Sequence, residues 1–151
     1  MPEAAPIDPD TPARPPHLRP DGVALVFVGG AAGTAARYGL ARAWPTTAGS
    51  WPTGTFLANL AGAFVLGLLL ELLLRLGPDT GWRQRLRLVG GTGFCGGFTT
   101  YSTLAVESEL LARGGDGGLA FGYLAGTVLA GLAAVVLGMV VAAALTRRVQ
   151  Q

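Results

Sequence analysis

A run of glycines and threonines at residues 90–104, GGTGFCGGFTTYSTL, lies inside an apolar part of this chain. Glycine and β-branched threonine both lower helix propensity, so the run predicts an interrupted helix. Within a membrane, unwound backbone is tolerated only where protein buries it or a water-filled cavity wets it. The run therefore predicts backbone groups directed at a polar target, and an ion is the expected one. A second interpretation, compatible with the first, is that these small residues let two helices pack closely.

Isolated polar side chains stand in the neighbouring apolar segments. Asn59 follows Thr55 by four residues and Tyr123 precedes Thr127 by four residues, so each pair shares one face of a helix. The Asn59 amide could form an interhelical hydrogen bond that holds a bundle together, or it could present N–H donors to a pore. Glu107 lies close enough to the glycine-threonine run to face the same cavity.

Arg37 lies about two-thirds of the way along the first apolar segment, where a charge is costly unless it reaches an interface or a water-filled vestibule. It could snorkel to the interface, with Trp44 as an interfacial aromatic residue, or it could attract anions. The only histidine, His17, lies in a polar tail, and the only cysteine, Cys95, lies in the apolar run. A Ser-His-Asp or Cys-His hydrolase is therefore not expected, and Cys95 is interpreted as a packing residue.

The elements that must position these residues are membrane-spanning helices. Hydrophobic residues make up 50% of the 151 residues and charged residues only 13%, with 24 glycines, which is too apolar for an ordinary soluble domain. A spanning helix needs about 20 mostly apolar residues. The chain without its polar tail is therefore long enough for four such helices. The spans are predicted at about 22–43, 53–76 and 119–145, with the glycine-threonine run in another span between them. The prediction is an all-α membrane protein with four transmembrane helices, the third of them broken.

The regions outside the spans predict domain organisation and orientation. Residues 1–21 are expected to form a disordered proline-rich tail, residues 22–146 the four-helix domain and residues 147–151 a polar C-terminus. By alternation of the spans, one side of the membrane carries eight arginines: Arg14, Arg19, Arg75, Arg83, Arg85, Arg87, Arg147 and Arg148. The other side carries Arg42 and Arg113, so the positive-inside rule places both termini in the cytoplasm. No aromatic-basic stripe accompanies the arginines, so nucleic acid is not an expected partner.

Four motifs in this order resemble the Fluc (CrcB-type) fluoride channel family, whose members are small four-helix proteins that assemble as antiparallel dimers. They are GGAAGTAARYGL in the first span, GTFLANLAG in the second, GTGFCGGFTTYST followed by Glu107 in the third, and Tyr123 with Thr127 in the fourth. The resemblance covers about residues 22–145. It implies a multi-pass protein of the bacterial inner membrane that is not an enzyme but a passive, fluoride-selective channel, exporting cytoplasmic fluoride to lower its toxicity.

The resemblance also implies roles for individual residues. The backbone carbonyls of Gly96 and Thr99 would hold a structural Na⁺ at the dimer centre, which is not transported. The fluoride pathway would include Asn59, Thr55, Tyr101, Tyr123, Thr127 and Glu107, with Arg37 at the vestibule. In the family, phenylalanines occupy the positions of Tyr101 and Leu104 and turn their ring edges to the anion. Leu104 has no ring to offer.

The implied partners are fluoride, membrane lipid and a second subunit in the opposite orientation. That subunit could be the same chain or an oppositely oriented paralogue, and the arginine asymmetry and the missing phenylalanine favour the paralogue. Two other function classes compete with the channel. A small proton-coupled multidrug exporter needs a membrane-embedded carboxylate in its first helix, and residues 22–43 contain none. A structural subunit without transport would use the glycines and threonines for packing alone.

Overall fold

The computed structural model describes residues 19–149, and these residues form helices and connectors without any strand. The helices in chain order are α1 (Pro20–Ala43), α2 (Thr53–Leu76), α3 (Gly81–Leu86), a π-helix (Arg87–Cys95), α4 (Gly96–Phe98), α5 (Tyr101–Arg113) and α6 (Gly117–Val149). Within this described part, α1, α2 and α6 are the three helices that are by themselves long and apolar enough to cross a membrane. The elements from α3 to α5 form a composite third segment. The predicted all-α fold with a broken third helix is confirmed.

The helix bounds follow the predicted spans with two extensions and one correction. α2 has the predicted bounds, whereas α1 begins at Pro20, where proline and Asp21 suit the first turn of a helix. α6 continues to Val149 because neither glycine nor proline follows Gly138 to stop it. The predicted loop at residues 77–87 is partly wrong, since its second half forms α3. Most of the predicted proline-rich tail, residues 1–18, lies outside the described residues.

The interruption of the third segment lies at two threonines rather than at the glycines. Thr99 and Thr100 have extended backbones, with φ and ψ of −83° and 159° at Thr99 and −152° and 124° at Thr100. The Thr100 Oγ1 accepts the backbone N–H of Thr103 at 3.1 Å, which caps the first turn of α5. The glycines before them remain helical, with Gly90, Gly91 and Gly93 in the wider π-helix and Gly96 and Gly97 in α4. Threonine therefore ends one helix and begins the next.

The glycines instead bring the third segment against α1. A Cβ at Gly29 would overlap the carbonyl oxygen of Val89, and one at Gly33 would overlap that of Phe94. Gly97 approaches the backbone of α1 in the same way. Only residues without a side chain allow two backbones to approach so closely. The packing interpretation of the glycines therefore holds together with the interrupted helix.

The same device joins α2 to α6. A Cβ at Gly67 would overlap the carbonyl oxygen of Val135, and one at Gly138 would overlap that of Phe64. At one end of this pair, α5 covers α6 through a small buried cluster of Leu104, Leu111, Ala120 and Tyr123. Many large apolar side chains point outward, such as Phe27, Leu74 and Phe121 with 75%, 74% and 74% of their surface exposed. Such a surface suits lipid as solvent.

Candidate functional site

Asn59 on α2 binds the interruption of the third segment through both ends of its amide. Its Nδ2 donates to the Thr100 carbonyl oxygen at 3.0 Å, and the Thr100 backbone N–H donates to its Oδ1 at 2.7 Å. Thr100 is the N-cap of α5, so its N–H has no partner in either helix, and the bond to Asn59 satisfies this donor. The second hydrogen on Nδ2 has no acceptor among residues 19–149. Asn59 thus holds the bundle together and keeps one donor for a ligand.

Arg37 on α1 reaches the same interruption from the other side. Its Nε donates to the carbonyl oxygen of Gly97 at 3.1 Å, a half-buried contact between residues 60 positions apart in sequence. Gly97 lies in α4, whose last carbonyls have no partner within the helix and carry partial negative charge. A guanidinium at this position satisfies one of those carbonyls, so Arg37 is anchored inside the bundle.

The carbonyl oxygens around the interruption are not all satisfied. The Cys95 carbonyl accepts both the backbone N–H of Thr99, at 3.0 Å, and its Oγ1–H, at 2.9 Å. By contrast, no hydrogen bond within the described part of the chain ends on the carbonyl oxygens of Gly96 or Thr99. Carbonyl oxygens released from a helix are ligands that replace the hydration shell of an alkali cation. The two residues predicted to bind Na⁺ thus have carbonyl oxygens without a hydrogen-bond donor in the described part of the chain.

A groove of about 470 Å³ opens over the interruption. Its walls include Asn59, Gly96, Thr99, Thr100, Tyr101 and Leu104. The ring of Tyr101 is 79% exposed, whereas Leu104 is only 4% exposed and packs into the cluster beside Tyr123. The structure therefore brings the predicted sodium residues, Asn59 and Tyr101 to one open surface. Leu104 contributes to the inner wall of that surface.

Glu107 on α5 forms the centre of a second polar cluster. Its Oε1 accepts the hydroxyl of Thr55 on α2 at 3.0 Å and, at 3.5 Å, that of Thr46 in the α1–α2 connector. Its Oε2 accepts the hydroxyl of Tyr123 on α6 at 2.6 Å. Tyr123 is fully buried and Thr55 nearly so. One carboxylate thus joins three helices at the end of the bundle where α5 meets α6.

The hydroxyl protons of this cluster are directed at protein acceptors. The hydroxyls of Thr55 and Tyr123 donate to the Glu107 carboxyl oxygens, so their protons lie toward Glu107. Thr127 donates to the backbone carbonyl of Tyr123 at 2.7 Å, within its own helix. Asn59 and Tyr101 differ, because each keeps a polar hydrogen without an acceptor among residues 19–149. These two residues are therefore the predicted pathway residues with a donor free for an anion.

Three contributors to the site were not singled out by the sequence. Thr100 supplies the backbone that Asn59 binds; the glycine-threonine run predicts backbone groups that face a polar target, but not which residue binds Asn59. Thr46 and Trp51 lie in the α1–α2 connector, which has no helical period to place them. The Trp51 ring meets the Tyr123 ring edge-on, with centroids 5.3 Å apart and planes at 80°. This contact covers the second cluster on the connector side.

The family comparison agrees with this geometry. A model of the family described as CrcB-like protein, Camphor Resistance (CrcB), matches residues 24–139. The chain belongs to this family. The match spans α1, α2, the composite third segment and most of α6, so all elements that form the two polar clusters lie within the CrcB-like domain. The resemblance inferred from the four motifs is confirmed.

Curated relatives of this CrcB-like chain cover most of its length. Fluoride-specific ion channel FluC 1 of Cutibacterium acnes is 50% identical over 113 residues, which are 75% of this chain and 79% of the relative. Fluoride-specific ion channel FluC 2 of Leifsonia xyli subsp. xyli is 48% identical over 131 residues, 87% and 90% of the two chains. Fluoride-specific ion channel FluC of Gloeobacter violaceus is 46% identical, covering 80% of this chain and 95% of the relative.

The family and the helices together establish the class of protein. Three helices of sufficient length and hydropathy in a CrcB-like chain make this a multi-pass membrane protein. The relatives are named as ion channels, which agrees with the expectation that the chain is not an enzyme.

Proposed function

We propose that this chain forms a fluoride-selective passive channel, which lets cytoplasmic fluoride leave the cell across the bacterial inner membrane and so lowers its toxicity. One observation carries the proposal: the groove over the interruption brings the spare N–H of Asn59 and the exposed ring of Tyr101 together. The names of the relatives, which are fluoride-specific ion channels, support fluoride as the ion.

The groove residues match what a fluoride pore requires. Fluoride is small and strongly hydrated, so a pore must replace its water with well-placed donors. The Asn59 amide is oriented by its two bonds to Thr100, so its second N–H points in a fixed direction without further ordering. The ring edge of Tyr101 carries partial positive charge and adds a weak donor surface. Both residues therefore offer groups that stabilise an anion.

The second cluster extends the pathway in this proposal. Thr55 and Tyr123 donate to fluoride when they release Glu107, and Thr127 continues the polar face of α6. Glu107 then serves to hold the two hydroxyls in place between passing ions. Arg37 supplies positive charge at the vestibule while its Nε remains bonded to Gly97.

The carbonyl oxygens of Gly96 and Thr99 would hold a structural Na⁺ that is not transported. Their fit rests on the two unpartnered oxygens at the end of a helix, which are hard ligands of suitable type. When bound, Na⁺ supplies a fixed positive charge that neutralises the partial negative charge of these carbonyls. Two oxygens leave most of the coordination shell open, so further ligands are expected from a second subunit.

A second subunit in the antiparallel orientation is therefore part of the proposal. It would cover the groove that exposes Gly96 and Tyr101, while lipid covers the remaining apolar surface. Either the same chain or an oppositely oriented paralogue could fill this role. The surplus of arginine on one side favours a fixed orientation and hence the paralogue.

The proposed export can be tested in a bacterial strain that lacks its own fluoride exporter. Expression of the chain should allow growth at fluoride concentrations that stop the parent strain, with less fluoride retained in the cells as read by a fluoride electrode. A tandem fusion of two copies, joined by one added transmembrane helix, enforces the antiparallel pair and removes dependence on a paralogue. Failure of both forms to protect cells whose membranes contain the protein would refute the proposal.

A further inference from the structure

The end of the bundle where α2 passes into α3 carries arginines that the channel proposal does not use. Arg83 lies on α3 and Arg87 begins the π-helix, one turn further along. Both side chains fold back toward the connector of residues 77–80. Arg83 Nε donates to the Pro78 carbonyl at 2.7 Å, and Arg87 Nη2 lies 2.7 Å from Asp79 Oδ2. Asp79 thus pairs with Arg87, and the two guanidinium groups and one carboxylate leave one net positive charge at this corner.

The Arg87 guanidinium is incompletely satisfied. Its Nε–H is buried and has no acceptor among the described residues. A buried donor without an acceptor costs free energy, and native proteins rarely leave one in that state. The other groups of Arg87 remain accessible, since its side chain is 37% exposed. The exposed terminal nitrogens of Arg87, rather than its buried Nε, are therefore the groups that an acceptor from outside the chain can reach.

The arginines stand at the polar end of an otherwise apolar groove. A groove of about 690 Å³ is lined by Leu70, Leu73 and Leu74 of α2 and, at its other end, by Asp79, Arg83 and Arg87. Leu74 is 74% exposed along it. A second groove of about 680 Å³, which Arg87 also lines, continues along Val23, Val26 and Phe27 of α1. Arg87 thus lies where the two apolar grooves join, and it places a positive charge at their junction.

We propose that this corner binds the headgroup of an anionic phospholipid. The phosphodiester carries one negative charge, which matches the one net positive charge of Arg83, Arg87 and Asp79. Guanidinium groups bind phosphate oxygens through paired N–H donors. The acyl chains lie along the apolar grooves beside Leu74 and Phe27. The exposed indole of Trp82, 5.6 Å from the Arg83 guanidinium carbon, lies at the same level, as interfacial aromatic residues do.

The proposal can be tested by native mass spectrometry of the purified full chain in detergent, titrated with phosphatidylglycerol or phosphatidylcholine. Phosphatidylglycerol should bind at least about tenfold more tightly, because only it carries a net negative charge. Inorganic phosphate and glycerol 3-phosphate should not displace it at equal concentration, since they lack acyl chains. If either anion displaces phosphatidylglycerol completely, the site binds a free anion and the lipid proposal is wrong.

Matched variants separate binding from folding. Arg87→Gln and Arg83→Gln should each lose about tenfold in affinity for phosphatidylglycerol. Arg75→Gln removes the same charge from the same end of the molecule, but Arg75 pairs with Glu71 and does not line the groove, so affinity should be unchanged. Asp79→Asn should increase affinity, which no purely structural role of Asp79 predicts. If Arg87→Gln does not fold, Arg83→Gln and Asp79→Asn decide the question.

Two results would overturn the proposal. One is wild-type affinity for phosphatidylglycerol in both Arg83→Gln and Asp79→Asn. The other is lipid that binds the single chain and is absent from its assembled dimer, which would show that a second subunit occupies the groove. The proposal would be supported if the dimer retains phosphatidylglycerol and if affinity is highest in Asp79→Asn, intermediate in the wild type and lowest in Arg83→Gln.

Discussion

Asn59 and Thr100, 41 positions apart in sequence, exchange two hydrogen bonds of 3.0 and 2.7 Å across the interruption of the third segment. An amide carries a donor and an acceptor on one planar group, so it can donate to a backbone carbonyl and accept from the N–H of the same residue. The pairing fixes the extended conformation of Thr100 between α4 and α5. It also directs the second N–H of the amide, so one side chain fixes the backbone and prepares a donor.

Replacing Asn59 by Asp should abolish most fluoride conduction. The carboxylate retains the acceptor for the Thr100 N–H, loses the donor to the Thr100 carbonyl, and places negative charge where the anion passes. Fluoride efflux from liposomes should fall by at least about tenfold, and the free energy of unfolding by about 1–2 kcal/mol. Gln84→Glu makes the same chemical change on α3, away from the groove, and should leave efflux near the wild-type rate. Unaltered efflux in Asn59→Asp would remove Asn59 from the pathway.

The contact between α1 and the third segment depends on glycine. Gly33→Ala places a Cβ against the Phe94 carbonyl oxygen, which belongs to a backbone that cannot turn away. We expect destabilisation by about 1–3 kcal/mol, measured as a lower midpoint of thermal unfolding in detergent. Gly39→Ala on the same helix meets nothing within 4 Å and should stabilise by about 0.5–1 kcal/mol. Equal effects of the two substitutions would show that the helices do not meet as described.

Tyr123→Phe isolates the contribution of one hydroxyl in the second cluster. The ring and its contact with Trp51 remain, while Glu107 loses its shortest hydrogen bond, of 2.6 Å. Stability should fall by about 1–2 kcal/mol and fluoride efflux should slow severalfold. Tyr38→Phe is the control, because Tyr38 is 62% exposed and its hydroxyl accepts only a long bond of 3.4 Å from Arg42. A Tyr123→Phe protein with wild-type efflux would confine this hydroxyl to a structural role.

Sodium should stabilise the assembled protein more than potassium does. An ion that binds only the folded state adds about 2.7 kcal/mol at a concentration one hundred times its dissociation constant. The thermal midpoint should therefore rise with Na⁺ concentration and stay flat when N-methylglucamine replaces it. Gly39→Ala, on α1 and away from the proposed sodium ligands, meets no atom within 4 Å and should retain the Na⁺ dependence. Equal thermal midpoints in the sodium, potassium and N-methylglucamine salts would argue against a bound structural Na⁺.

The local sequence was sufficient to predict the three long helices and the polar faces, but not α3, which forms within the predicted loop. Hydropathy and length placed α2 at its observed bounds, and the four-residue spacing placed Tyr123 and Thr127 on one buried face. Low helix propensity located the interrupted segment. The sequence did not predict that the glycines of this segment pack against α1 while the threonines interrupt the helix. These separate roles depend on the close packing of α1 against the third segment, which no local sequence pattern shows.

The partners of the site residues were likewise beyond the sequence. The bonds between Asn59 and Thr100 and between Arg37 and Gly97 join residues far apart in the chain. The direction of the Thr127 hydroxyl toward its own helix also depends on what else is within reach. Residue type shows that a buried amide requires partners. Only the packed structure shows that those partners are backbone groups.

The most direct test of this account is fluoride efflux from liposomes that contain the purified chain, read with a fluoride electrode and compared with chloride efflux from matched liposomes. We expect rapid fluoride release that stops when the gradient is spent, with negligible chloride release, for the chain alone or for its antiparallel tandem fusion. Comparable release of both anions, or no fluoride release from either form, would contradict it.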